Sequence, residues 1–152
     1  MRAVVQRVKR SSVSVSGRLH SSIQAGILIL LGVHEEDKER DAELLADKCA
    51  ALRIFDDGGG KMNLSVRDIG GSVLVVSQFT LYGDTRKGNR PNYMQAAKPE
   101  LAEKLYEYFV RRLESSIGTG KVATGIFREM MDVELINDGP VTIIIETREQ
   151  HG

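Results

Sequence analysis

The chain has one cysteine, Cys49, and three histidines, His20, His34 and His151, in 152 residues. A lone cysteine excludes an internal disulfide and fits a reducing compartment, so a cytoplasmic location is expected. The histidines are scattered, and neither a Cys-x-x-Cys nor a His-x-x-x-His spacing occurs; no metal and no cofactor is expected. No apolar run approaches the roughly 20 residues that cross a bilayer. Arg2, Arg7, Lys9 and Arg10 break up the N-terminal apolar residues, so a signal peptide is not expected either. A Gly-x-Ser-x-Gly elbow is missing, which removes the α/β-hydrolase pattern. Gly58-Gly59-Gly60-Lys61 lacks the upstream glycine and the following Ser or Thr of a phosphate loop, and reads as a turn. The formal net charge is zero, which argues against a strongly basic nucleic-acid coat but leaves room for a local RNA-binding patch. Internal repeats, low-complexity tracts and linkers are absent. With 41% hydrophobic and 28% charged residues, one domain over residues 1–147 is expected, followed by a frayed tail at 148–152.

What is present is mostly strand. Residues 1–8 and 12–16 read as strands, the second from its Ser/Val alternation, with a hairpin turn at Gly17 and Arg18 and a returning strand over 19–24. The apolar runs 27–31 and 73–79 read as strands buried on both faces. Residues 35–53 place Ala42, Leu45, Cys49 and Leu52 at helical spacing, with Asp37 as the expected N-cap. The longest helix is expected over 99–117, with Pro99 at its first position, Glu100 and Glu103 near its positive end, and Gly118 as its stop. Residues 82–92 read as an exposed loop and 118–124 as another. Two C-terminal strands, 131–136 and 141–145, flank Asn137-Asp138-Gly139-Pro140, which reads as a turn between them. Short turns between many strands favour an α+β fold: an antiparallel or mixed sheet, or partial barrel, with two main helices packed on it.

Two stretches carry candidate chemistry. Ser77-Gln78-Phe79-Thr80 ends a buried strand with polar groups, where Thr80 is a candidate nucleophile or water-orienting group and Ser77 and Gln78 are candidate substrate ligands; local strand capping is the competing reading. Arg86, Lys87 and Arg90 in the following Gly-containing loop are candidate phosphate contacts, set against an ordinary solvated loop. Arg111 and Arg112 are explained by a helix C-terminus, and Cys49 by an apolar core position.

The segments Met1-Arg2-Ala3-Val4-Val5-Gln6-Arg7-Val8, Leu52-Arg53-Ile54-Phe55, Gly60-Lys61-Met62-Asn63, Ser77-Gln78-Phe79-Thr80 and Asn137-Asp138-Gly139-Pro140-Val141-Thr142 together resemble the bacterial-type D-aminoacyl-tRNA deacylases, first called D-tyrosyl-tRNA deacylases. The resemblance runs nearly end to end. It implies a metal-free cytoplasmic homodimer that hydrolyses the ester between a D-amino acid and tRNA. It implies a cis Gly139-Pro140 bond reaching the partner subunit's site, where a backbone wall rejects L-aminoacyl-tRNA and leaves glycyl-tRNA unrejected. It implies that Ser77, Gln78, Phe79 and Thr80 line the site, that Arg7 steadies the Gly-Pro segment, that Asn137 belongs with Gly139 and Pro140 to the substrate-binding and chiral-rejection set, and that Phe127 and Met131 form pocket walls. The chain departs from the family pattern at Arg128 and Glu129, where small residues are usual, and at Asn89, where arginine is common. A non-enzymatic RNA-binding module and a hydrolase of another acyl ester are the alternative readings.

Overall fold

The first two expected strands are one. In the computed structural model, which describes residues 1–148, β1 runs from Arg2 to Val15 without a break. The chain reverses at Ser16 and Gly17, both with positive φ (51° and 76°), and returns as β2, Arg18–Ile23. The remaining strands are β3, Gly26–Gly32; β4, Phe55–Asp56; β5, Met62–Leu64; β6, Ser72–Ser77; β7, Val122–Thr124; and β8, Asp132–Glu146. The helices are α1, Glu39–Ala51, and α2, Pro99–Ile117.

β1 is the axis of the sheet. β8 pairs antiparallel along nearly its whole length, while its other side pairs antiparallel with β3 near the N-terminus and with β2 further on. β6 pairs parallel with β3, and β7 parallel with β6. The sheet is mixed and nearly closed, because β2 curls over to β7, where the Ser21 hydroxyl donates to the Thr124 carbonyl at 2.7 Å. At Gly26 the β3 and β6 backbones approach so closely that a Cβ would sit 1.8 Å from the Ser72 carbonyl oxygen, so only glycine fits. This is the α+β architecture expected from the sequence.

Both helices pack on one face of the sheet. Leu45, Cys49, Leu105, Phe109 and Leu113 meet Ala3, Val5, Ile29, Leu31 and Val75 in the main core. Burying a side chain of this size is worth about 1.5–3 kcal/mol, so this layer supplies most of the driving force. Burial pushes the Cys49 thiol up to about 12, which leaves it a core residue with no thiolate chemistry. A second, smaller cluster on the other face gathers Val8, Val13, Ile23, Leu28, Leu74 and Val76 under the curl. Arg112 ties α2 to α1 through Asp47 at 2.8 Å and Glu43 at 3.5 Å, a job beyond the helix dipole.

Three further expectations change. The helix α1 has Lys38, not Asp37, as its N-cap residue. Asp37 is buried, pairs with the Met1 ammonium at 2.8 Å and accepts from the His34 amide at 2.6 Å. A tertiary partner therefore takes the carboxylate that the local pattern assigned to the helix. The segment 122–124, read as loop, is β7. Most importantly, Asn137 to Pro140 is no turn between two strands but part of β8, which continues through it. At the C-terminal end, the Thr147 amide donates to the Met1 carbonyl at 3.0 Å, and Arg148 pairs with Asp37 at 3.1 Å and Glu36 at 3.2 Å. The rest of the expected tail, 149–152, lies outside the described residues. Among the described residues no helix is long and apolar enough to cross a membrane.

Candidate active site

β6 delivers its last residue, Ser77, to the sheet margin, and the chain then closes a 3-10 turn, Phe79–Tyr82. The turn is anchored from below: the Gln78 amide donates to the Leu31 carbonyl at 2.8 Å, the Leu81 amide to the Gln78 carbonyl at 3.2 Å, and the Gly83 amide to the Thr80 carbonyl at 2.9 Å. Among the described residues the amides of Phe79 and Thr80 have no acceptor. Two adjacent N–H groups at the open end of a fixed turn can hold an oxyanion. Phe79 is 56% exposed and its ring meets Tyr93 edge-on at 5.2 Å, so an aromatic platform stands beside these amides.

The Thr80 hydroxyl accepts from the Gln78 side-chain amide at 2.6 Å. That is its one hydrogen-bond partner among the described residues, and an amide N–H cannot take a proton. Thr80 thus has no base to activate it. No group of His, Cys, Asp and Glu that could hold a metal occurs among the described residues.

Phe127 and Met131 follow β7, the strand that pairs with β6. The segment after β7 runs beside it, with the Gly125 amide donating to the Val75 carbonyl at 3.1 Å. Phe127 is half-buried against Tyr106, ring centroids 6.0 Å apart, and Met131 covers the second core cluster. Arg128 and Glu129, where the sequence departs from the family pattern, are both exposed.

The other stretch has a different location. Between the pairs Gln6–Thr142 and Val8–Asn137, β1 passes one residue, Arg7, while β8 passes four, 138–141. The surplus loops out of the sheet with Gly139 and Pro140 exposed and the Gly139-Pro140 peptide cis. Arg7, only 11% exposed, holds the loop: its Nε donates to the Asp138 carbonyl at 3.0 Å and its NH1 to the Ile54 carbonyl at 2.8 Å. Asn137 closes the base, its side-chain amide donating to the carbonyls of Arg7 at 3.0 Å and Val141 at 3.2 Å. Among the described residues no side chain donates to the carbonyl of Gly139 or Pro140.

The two stretches do not meet within one chain. Ser77 lies level with Leu31, Ala3 and Ile145, whereas Gly139 and Pro140 lie at the level of Arg7. Four residues along the strands and three strand spacings across them put the stretches roughly 20 Å apart.

Of the loop cations, Arg86 is taken. It grips Asp84 through Nε at 2.9 Å and NH2 at 2.7 Å, and this holds the Asp84 carboxyl at about 2. The neighbouring acid was readable in the sequence two residues earlier. Lys87 and Arg90 are exposed and make no ion pair among the described residues, and Asn89 between them is exposed too. Asp84 and Asn92 pair at the loop base by two backbone hydrogen bonds of 2.8 and 2.9 Å, so the cations project from a pinched hairpin.

Two unpaired backbone amides beside an aromatic pair, set on a curled mixed sheet with two helices behind it, define a class of site suited to acyl-ester chemistry. The sequence profile of D-Tyr-tRNA(Tyr) deacylase matches residues 4–146, and the chain belongs to this family. A D-aminoacyl-tRNA deacylase of Koribacter versatilis is 57% identical over 150 residues, covering 99% of each chain. One from Porphyromonas gingivalis is 55% identical over 150 residues, with 99% of each chain covered. Among solved structures, a c-Myc DNA unwinding element binding protein superposes with a TM-score of 0.94 at 41% identity, covering 98% of this chain and 100% of that one. A probable eukaryotic D-amino acid tRNA deacylase shares the fold with a TM-score of 0.81 at 15% identity.

Proposed function

We propose that the protein is a cytoplasmic enzyme that hydrolyses the ester of D-aminoacyl-tRNA and works as a homodimer, the Gly139-Pro140 segment of one subunit completing the site formed by residues 77–80 of the other. The observation that carries the reading is the separation of the two stretches within the chain, each exposed and each held in place by hydrogen bonds from the sheet behind it. The outer face of the sheet supports a second copy. Val4 pairs with Leu30 on one side and with Ile144 on the other, and Ile144 is 66% exposed, so an apolar row lies beside the looped-out segment.

In this reading the Gly139 and Pro140 carbonyls receive the substrate ammonium, and the Phe79 and Thr80 amides hold the oxyanion that forms as water, or the ribose 2′-OH, attacks the ester carbonyl. The Phe79–Tyr93 pair offers a face to the terminal base. Lys87 and Arg90 lie closest to a free phosphate contact. With the ammonium and carbonyl both fixed to backbone, an L side chain points into the Pro140 wall and a D side chain points out. Glycine has no side chain to reject, so glycyl-tRNA is also a substrate. The test compares release from D-Tyr-tRNA, L-Tyr-tRNA and Gly-tRNA by the purified protein: release from the first and third and not the second is expected. No release from D-Tyr-tRNA by folded protein would defeat the proposal.

Because Thr80 lacks a base, a covalent route through its hydroxyl is disfavoured. Thr80→Ala is expected to lose turnover only modestly, with kcat falling by less than about tenfold. A drop of about 10³-fold or more in single-turnover assays would instead make the hydroxyl the nucleophile.

A further inference from the structure

Arg2 stands at the start of β1, in a segment that carries the family resemblance but gives Arg2 no role of its own. Its side chain is 27% exposed and threads from the C-terminal strand to the back of the 3-10 turn. Nε meets the Glu146 carboxylate at 2.5 Å, NH1 donates to the Leu81 carbonyl at 2.5 Å, and the guanidinium carbon lies 4.7 Å from the Tyr82 ring centroid. Tyr82 is itself buried and meets the edge of His34 at 5.3 Å. The floor under the turn is Gly32, where a Cβ would stand 3.1 Å from Leu81 Cβ and 3.3 Å from the Gln78 carbonyl oxygen. The side chains of Phe79 and Thr80 are exposed, so they do not anchor the turn to the core.

We infer that Arg2 is a positioning residue for the reaction: by gripping the Leu81 carbonyl from behind, it fixes the direction in which the Phe79 and Thr80 amides point. A cation held on a carbonyl at the C-terminal end of a helical turn orients and polarises the peptide dipoles that run through it. The free N–H groups lie at the other end of the same turn, where small errors of direction weaken transition-state contacts more than substrate binding. Arg2 suits this role because its fork meets Glu146 and Leu81 at once, while a lysine ammonium placed there has one point charge to share. The inference rests on the amide role given under Proposed function.

The test uses full-length Arg2→Ala and Arg2→Lys beside the parent enzyme, with steady-state deacylation of D-Tyr-tRNA and hydrogen exchange of backbone amides. Arg2→Ala is expected to lose about 10- to 30-fold in kcat with KM within about threefold. Arg2→Lys is expected to fall between Arg2→Ala and the parent. Low-millimolar guanidinium is expected to raise the kcat of Arg2→Ala and leave the parent unchanged. The Leu81 and Gly83 amides, which close the turn, are expected to exchange at least about tenfold faster in both variants, with the amides of β1 and β3 unaffected. The exchange result does not depend on activity: with an inactive parent, faster exchange at Leu81 and Gly83 would still show that Arg2 fixes the turn, and the failure would fall on the proposed function alone. If Arg2→Ala does not fold, Arg2→Lys carries the same comparison. Unchanged exchange at Leu81 and Gly83, a loss confined to KM, or an Arg2→Ala kcat within twofold of the parent would overturn it.

Discussion

Phe79→Pro is expected to lower kcat on D-Tyr-tRNA by about 10²- to 10³-fold while the protein stays folded, the usual cost of one oxyanion-hole donor. The substitution removes an N–H that serves no acceptor in the chain, so no internal hydrogen bond is lost. Phe79 is the first residue of the 3-10 turn, a position whose φ suits proline, and Gln78 before it has φ −143° and ψ 83°, clear of the helical region that a following proline disfavours. The ring of Phe79 and its contact with Tyr93 go as well, and Phe79→Ala separates the two losses because it keeps the amide. The alanine enzyme is expected to change KM more than kcat, and the proline enzyme the reverse. A Phe79→Pro kcat within about fivefold of the parent would remove the amide from the mechanism.

Arg7→Ala is expected to damage both stability and chemistry. Arg7 is nearly buried and its two donors satisfy the carbonyls of Ile54 and Asp138. Asp56 at 3.7 Å and the Asp138 carboxylate at 3.5 Å lie around it but are largely exposed, so they add little. Leaving the two carbonyls unpaired costs about 2–3 kcal/mol, or roughly 5–10 °C in Tm for a chain of this size. The Gly139-Pro140 loop then keeps only Asn137 to hold it. Displacement by an ångström at a reacting centre costs about 100-fold in rate, and the loss of D-Tyr-tRNA turnover is expected to be of that order. Discrimination between D- and L-Tyr-tRNA is expected to narrow as well. Thermal unfolding and the two rates check the prediction together; a stability loss with full turnover and full discrimination would detach the loop from the site.

Much of this was readable from local pattern. The apolar spacing, Pro99 and Gly118 mark α2 at both ends, and Val73 to Val76 mark a doubly buried strand, because those signals depend on neighbours a few residues away. The polar end of β6 also pointed to a margin where side chains meet solvent. What the sequence hides is set by partners far along the chain. Asn137 to Pro140 has the residues of a turn, yet β8 continues through it because Arg7 and Asn137 brace the excursion across 130 and 131 positions. Asp37 looks like a helix cap until the Met1 ammonium claims it. Arg2 acts on a carbonyl 79 positions away, and no local rule finds such a contact. Arg86 is the opposite case: its partner Asp84 is two residues off, and a charge count of the loop would have found it.

Mixed dimers decide whether two distant parts of the chain form one site across two subunits. Phe79→Pro damages the turn and leaves the Gly139-Pro140 loop intact; Arg7→Ala does the reverse. Co-expressed and purified through different tags, a dimer with one chain of each kind contains one site built wholly from undamaged parts if the loop acts on the partner. Hydrolysis of D-Tyr-tRNA by that mixed dimer is predicted to recover to about half the parental rate, one working site of two, although each variant alone is nearly inactive. A mixed dimer no more active than the two variants would contradict the account.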